Sequence, residues 1–147
     1  MKRIPILLAL VALMGGLYAP VAAQGGGFVV IVNTSNGVDQ MSTDDVAKLF
    51  TKREQRWPNG QNVMPVDLTE SSNVREQFTT TVHGKSVSAI KSYWQRQIFS
   101  GRNVPPPELN SDADVVAFVR SNPSAIGYVS ANTALGSGVK SIRVTNG

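Results

Sequence analysis

The stretch of sequence that decides the fold is VMPVDLTESSNVREQF, residues 63–78. Its first part, Val63 to Leu68, is short and mostly apolar, which predicts a strand. A polar turn follows, and then Val74, Phe78 and Val82 recur at every fourth position. That spacing places one apolar stripe of a helix against a sheet. The stretch therefore predicts a strand, a turn and an amphipathic helix that packs on the sheet.

The start of this helix is the candidate binding site. Asn73 is a suitable N-cap residue, and Glu76, three positions later, completes a capping-box pattern. Ser71 and Ser72 then lie beside the first N–H groups of the helix, which have no partner within the helix. Those N–H groups and the helix dipole favour an anion, and Arg75 adds a forked donor one turn in. A cap without a ligand is the alternative, because serine and asparagine cap helices in any protein.

The N-terminus predicts a secretory signal peptide that is removed from the mature protein. Lys2 and Arg3 give a basic start, an apolar run extends from Ile6 to Leu17, and Val21 to Ala23 supplies small residues before a cut. The apolar run is short for a membrane span, so no insertion in the membrane is expected after cleavage. We therefore expect a periplasmic or secreted protein.

Three segments are expected: a signal peptide at residues 1–23, a flexible leader at 24–27 and one α/β domain at 28–147. Removing Lys2 and Arg3 leaves 12 basic and 10 acidic residues, a net charge of about +2. That excess is too small to indicate a nucleic-acid partner or an anionic membrane surface. The chain has no cysteine, which excludes thiol catalysis and lipid attachment through cysteine.

Apolar runs and cap residues predict the remaining elements. The unbroken run from Phe28 to Val32 is typical of a strand buried on both faces, and a polar turn containing Ser35 follows it. Helices separate the first three strands, which predicts a single α/β domain with a mainly parallel or mixed sheet flanked by helices. The other predicted elements are helices from Met41 to Thr51, from Ser86 to Phe99 and from Ser111 to Asn122, and strands from Ala125 to Val129 and from Val139 to Val144.

Several residues of chemical interest are interpreted as structural. His83, the single histidine, immediately precedes a glycine that can cap a helix C-terminus. Asp44 and Asp45 fall in the first turn of a helix, where they complement its dipole. Trp57 and Trp94 are expected in the core. Because the sequence also has no Walker A, GxGxxG, GxSxG or HExxH motif, neither a cofactor, a metal site nor an enzymatic activity is expected.

Two parts of the chain resemble the PstS-like periplasmic phosphate-binding proteins, the substrate-binding components of ABC transporters. In the first part, Leu49 to Lys52, Trp57 to Gly60 and Val63 to Asp67 resemble that family's helix end, turn and Ile-x-Pro-Val strand. In the second and more specific part, Asn122 to Val129 resembles the family's Pro-Gly-Ala-Ile-Gly-Tyr-Val segment. The likeness extends from about Phe28 to Val144 and covers one lobe of a two-lobed protein.

The resemblance implies the fold of one lobe of a type II periplasmic binding protein and a role in transport. The family's ligand turn is Arg-x-x-Gly-Ser-Gly-Thr. Its Gly-Ser falls at Ser71 and Ser72 and its second Gly falls at Asn73. Its Arg falls at Leu68 and its Thr at Val74, so one hydroxyl and one charged fork are missing from this turn.

The function expected from the helix start and from the resemblance is weak binding of phosphate or a similar small anion. The candidate ligand residues are Ser71, Ser72, Asn73 and Arg75, together with Ser35 from a strand end expected to be adjacent. In this hypothesis Arg75 substitutes for the missing arginine from another direction. The alternative is a single-lobe adaptor that has lost ligand binding and contacts a transporter, porin or receptor component.

Overall fold

The computed structural model describes residues 27–147, so the proposed signal peptide lies outside the described residues. Within this range no helix is both long enough and apolar enough to cross a membrane. The elements in chain order are β1 (Phe28–Asn33), β2 (Gln40–Ser42), α1 (Thr43–Phe50), β3 (Met64–Pro65), β4 (Asp67–Leu68), α2 (Asn73–Phe78), the π-helical turn (Thr79–His83), α3 (Val87–Phe99), β5 (Glu108–Leu109), α4 (Asp112–Ser121), β6 (Ala125–Ser130) and β7 (Val139–Thr145).

Five strands form a mixed sheet in the order β2-β7-β1-β6-β3. The central strand β1 runs antiparallel to both of its neighbours, β6 and β7. The edge strands β2 and β3 run parallel to β7 and β6, respectively. Strands β4 and β5 form a separate parallel pair. The predicted α/β domain with a mixed sheet is confirmed, whereas β2, β5 and the π-helical turn were not predicted.

The central strand is buried on both faces, as its unbroken apolar run predicts. Residues 30–32 are at most 1% exposed. Asn33 ends the strand, and its amide donates to the carbonyls of Val119 and Arg120, at 3.0 and 2.9 Å, where α4 ends. A buried amide satisfies two helix-end carbonyls in this way, so the end of β1 and the end of α4 are held together.

Three helices begin at the serine residues that the sequence indicates. The hydroxyls of Ser42, Ser86 and Ser111 each accept the N–H of the residue three positions later, at 3.1 Å. Trp57 and Trp94 are 3% and 4% exposed, which confirms their predicted burial. The caps and the apolar stripes were therefore sufficient to locate α1, α3 and α4.

Gly127 allows α4 to lie close against the sheet. A Cβ atom at this position would lie 2.6 Å from Cγ1 of Val115 and 3.1 Å from Cγ2 of Val66. Contacts that short are not compatible with a side chain, so this position requires glycine.

The stretch at residues 63–78 departs from the prediction in its strand. Instead of one strand there are two short ones, because β3 pairs with β6 while β4 pairs with β5. Val66, between them, is 1% exposed and belongs to the core. The chain therefore leaves the main sheet after Val66, two residues before the polar turn begins at Thr69.

The N-cap of α2 is Ser72, so the predicted Asn73 cap is wrong. The Ser72 hydroxyl accepts the N–H of Arg75 at 3.2 Å, and its own N–H donates to the carbonyl of Thr69 at 3.0 Å. That turn fixes Ser72 in the extended conformation that a cap residue adopts. Asn73 is consequently the first residue of the helix, and its capping box with Glu76 does not form.

Candidate functional site

The start of α2 presents unpaired N–H groups beside hydroxyls. The N–H groups of Ser71, Asn73 and Val74 have no acceptor within the part of the chain that the structure describes. Ser71 is exposed and Ser72 is half-buried. The hydroxyl of Ser71 lies 3.5 Å from the hydroxyl of Thr69. Three N–H donors and several hydroxyl groups on one turn can contact one side of a small anion.

An open cavity of about 700 Å³ adjoins this turn between α2 and the sheet. Asn73 and Val74 line it from the helix, and Phe28 and Ser130 line it from β1 and β6. Among its lining residues within 27–147, the charged one is Glu76. A carboxylate in the lining disfavours an anion beside it, so the turn itself, rather than the cavity, is the candidate anion site.

Arg75 points into the protein rather than toward the serine turn. Its side chain is 5% exposed, and Nη1 donates to the carbonyl of Leu68 at 2.7 Å and to the carboxylate of Glu108 at 2.9 Å. Nε lies 3.5 Å from a carboxylate oxygen of Asp67 and has no hydrogen-bond acceptor among the described residues. Arg75 and Asn73 line different cavities. The guanidinium therefore holds the loop before α2 and does not reach the cavity at Asn73.

A buried carboxylate lies beneath this arginine. The hydroxyl of Tyr128 donates to Asp67 and accepts the N–H of Leu68 at 3.2 Å, while its ring stacks on Phe78 with centroids 3.8 Å apart. Burial raises the pKa of Asp67, and the charge of Arg75 together with the Tyr128 hydrogen bond opposes that rise. Burial and the neighbouring carboxylate likewise raise the pKa of Tyr128. Apart from Nε of Arg75, the polar groups of this cluster find partners within the fold, as in a structural support.

Ser35 lies at the opposite end of the sheet from the serine turn. β1 runs antiparallel to β6, whereas β3 runs parallel to β6. The end of β1 that precedes Ser35 is therefore next to the beginning of β3, not next to the end that leads to Ser71. The N–H and hydroxyl of Ser35 both donate to Oδ1 of Asn33, at 2.9 and 2.8 Å. The expected adjacency assumed parallel strands, and the antiparallel central strand overturns it.

A second cavity, of about 530 Å³, was not predicted from the sequence. It lies between α1, the π-helical turn and α3, and three cationic side chains line it: Arg53, Lys85 and Arg96. His83 also lines it, with its ring packed edge-on against Phe78 at a centroid distance of 5.7 Å. Burial, and then the nearby cations, lower the pKa of His83 to about 4. Within residues 27–147, no cluster of His, Cys, Asp or Glu could hold a metal ion.

Comparisons with known proteins identify the same fold in phosphate receptors. A sequence profile of the PBP superfamily domain matches residues 15–146. The ABC-type phosphate transport receptor from Vibrio cholerae is similar with a TM-score of 0.64 and 19% identity, over 81% of this chain and 46% of that chain. PstS from Borrelia burgdorferi is similar with a TM-score of 0.58 and 17% identity, over 82% of this chain and 47% of that chain. A search of curated proteins found no match.

The matched proteins are longer than this chain. The chain spans about half the length of the solved structures that it resembles. Its fold matches one lobe of PstS-like periplasmic binding proteins, which confirms the resemblance found in the sequence.

Proposed function

Because this chain belongs to the PBP superfamily, we propose that it is an exported solute-binding protein of the phosphate ABC transporter type, without enzymatic activity. Its ligand is phosphate or a similar small oxyanion, held at the start of α2 by Ser71, Ser72 and Asn73. The observation that carries the proposal is the turn with unpaired N–H groups at Ser71, Asn73 and Val74. The similar protein from Vibrio cholerae is a phosphate transport receptor, which supports the choice of anion.

Binding at this turn is weak in the isolated chain. The hydroxyl of Ser71 and the side chain of Asn73 are exposed, so water competes for every contact. Arg75 donates hydrogen bonds to the carbonyl of Leu68 and the carboxylate of Glu108. It therefore holds the loop before α2 in position and is not available to the anion. A few exposed hydrogen bonds amount to a dissociation constant near 1 mM, about −4 kcal/mol. Tight binding requires a second chain that covers the open side of the anion.

A single-lobe adaptor is the second candidate function, and one observation favours it. Ile98, Phe99 and Val104 are 52%, 91% and 60% exposed, which places three large apolar side chains at and just after the end of α3. Exposed apolar residues grouped in this way mark interaction sites on soluble proteins. In this alternative the group contacts a transporter, porin or receptor component, and no anion is bound at α2.

The substitution Asn73→Asp distinguishes phosphate binding at α2 from the adaptor function. Asn73→Asp improves the interaction of the first turn with the helix dipole, so it stabilises α2 or leaves the stability unchanged. The same carboxylate repels phosphate. Isothermal titration of a verified monomer should therefore show millimolar phosphate binding that the substitution abolishes. Asn59→Asp, in the turn after Trp57, makes the same change at an exposed residue outside the site and should leave binding intact.

Two outcomes contradict the proposed site. Micromolar or tighter phosphate binding that Asn73→Asp does not alter would place the ligand elsewhere. No heat signal with phosphate at roughly 20 mM, well above the expected dissociation constant, would favour the adaptor.

Export has a separate test. N-terminal sequencing of the protein recovered from outside the cytoplasm should begin at Gln24 or within a few residues of it, since Val21 to Ala23 form the expected cleavage site. An intact Met1 in a soluble cytoplasmic fraction would contradict export.

A further inference from the structure

The cavity between α1, the π-helical turn and α3, which we call the basic pocket, has the size of a small-molecule site. Its volume of about 530 Å³ lies within the range of pockets that hold small ligands. Arg53, Lys85 and Arg96 line it, and no acidic side chain is among its lining residues within 27–147. The lining of the basic pocket therefore carries a net positive charge.

The missing counter-ions distinguish these cations from others on the same helices. In α1, Lys48 pairs with Asp44 at 2.6 Å, and in α3, Lys91 pairs with Glu70 at 3.3 Å. Among the described residues, none of the three cations of the basic pocket has such a partner. Arg53 donates from Nε to the hydroxyl of Thr51 at 3.2 Å, a neutral contact. Like charges around one cavity repel each other, so a bound anion relieves a cost that the free protein bears.

The remaining walls of the basic pocket are largely apolar. Ala47 contributes from α1, and Ala89, Ile90 and Tyr93 contribute from α3. The hydroxyl of Tyr93 donates to the carbonyl of Thr51 at 2.8 Å, which fixes the ring in the wall. A bare inorganic anion would contact the cations and leave these walls uncovered. An anion with an apolar or aromatic body satisfies both parts of the surface.

We propose that the basic pocket is a second anion site, which takes a small organic anion with at least two negative charges and an apolar body, as in an aryl phosphate. The site is separate from the serine turn. α2 and the π-helical turn, residues 73–83, lie between the two sites and span roughly 15 Å. Binding at the basic pocket therefore does not depend on the phosphate site proposed at Asn73.

His83 reports directly on this site. It is the single histidine of the chain, so a histidine ring signal can be assigned to it without ambiguity. Burial first, and then Arg53, Arg75 and Lys85, hold the pKa of its imidazole at about 4. A dianion bound among these cations opposes their effect and stabilises the imidazolium. Occupancy of the basic pocket should therefore raise the pKa of His83.

The test is a titration with phenyl phosphate, followed through the ring protons of His83 by proton NMR at several pH values. The expected result is a saturable shift at about pH 7.5, where phenyl phosphate is a dianion, and a pKa of His83 that rises when the site is filled, although near pH 4 to 5 the ligand carries a single charge. Inorganic phosphate should bind the basic pocket about tenfold more weakly, because it leaves the apolar walls uncovered. Asn73→Asp should leave the phenyl phosphate titration unchanged.

Matched substitutions locate the bound anion. Lys85→Gln and Arg96→Gln each remove one exposed charge of the basic pocket and should weaken phenyl phosphate about tenfold with no change in the urea midpoint. Lys91→Gln removes the same charge from the same helix outside the pocket and should leave binding unchanged. A titration without a saturable His83 shift would overturn the proposal. An equal weakening in Lys91→Gln would also overturn it, because that result indicates a general charge effect.

Discussion

Arg75 and Arg96 carry the same guanidinium and lie in opposite surroundings. Arg75 is buried between the carboxylates of Asp67 and Glu108, which the parallel pairing of β4 and β5 places opposite each other. Arg96 is exposed at the basic pocket, where the other charged lining residues are cations. The role of each arginine is set by what the fold places across from it. One holds a loop, and the other remains available to a ligand.

Substitution of Arg75 and of Arg96 should give the largest difference in the free energy of unfolding between the buried cluster and the basic pocket. Arg75→Met leaves Asp67 buried without its cation, which costs about 3 kcal/mol of the free energy of unfolding. Arg96→Gln removes an exposed charge and should change that free energy by less than about 0.5 kcal/mol. Urea denaturation of both variants measures the contrast. Equal losses would show that the buried cluster does not support the fold.

Removal of a tyrosine hydroxyl also compares the buried cluster at Arg75 with the basic pocket, and the expected losses of stability are smaller. Tyr128→Phe leaves the carboxylate of Asp67 and the N–H of Leu68 without a hydrogen bond, which should cost about 1–3 kcal/mol. Tyr93→Phe removes a hydroxyl from the half-buried wall of the basic pocket and frees one carbonyl, that of Thr51. It should cost about 1 kcal/mol or less. A greater loss from Tyr93→Phe in thermal or urea unfolding would reverse our ranking of the two regions.

A dependence of stability on pH is also expected at the basic pocket. The pKa of His83 falls from 6.5 in the unfolded chain to about 4 in the fold, so the folded state favours the neutral ring. The resulting stability is complete above pH 6.5 and is lost as the pH falls toward 4. Because the ring is half-buried, we expect a loss of about 1–2 kcal/mol between pH 7.5 and 5. His83→Gln should remove this part of the slope, and an unchanged slope in that variant would contradict the assignment.

The features that could be predicted from the sequence are those set by neighbouring residues. Ser42, Ser86 and Ser111 cap helices because a cap involves a hydroxyl and an N–H three positions apart. Burial of the first strand followed from its unbroken apolar run. Even the error at Ser72 and Asn73 is a shift of one position, within the usual uncertainty of a helix boundary.

The features that could not be predicted depend on residues far apart in the chain. Ser35 was assigned to the site because strand direction is not visible in a single strand, and β1 proved antiparallel to its neighbours. Arg75 points inward because Glu108, 33 positions later, lies within reach. The basic pocket joins Arg53, Lys85 and Arg96 from three separate segments. No local pattern relates those three positions, so only the fold brings them together.

The order of strands in the sheet has a consequence for how the protein is made. In the sequence β2-β7-β1-β6-β3, no two neighbours are consecutive along the chain, and every pairing involves β6 or β7. A ribosome that has reached residue 124 has therefore produced three strands of this sheet and no partner for any of them. Closing loops of about 100 residues is also slow. The five-stranded sheet consequently cannot form until the last two strands have been synthesised.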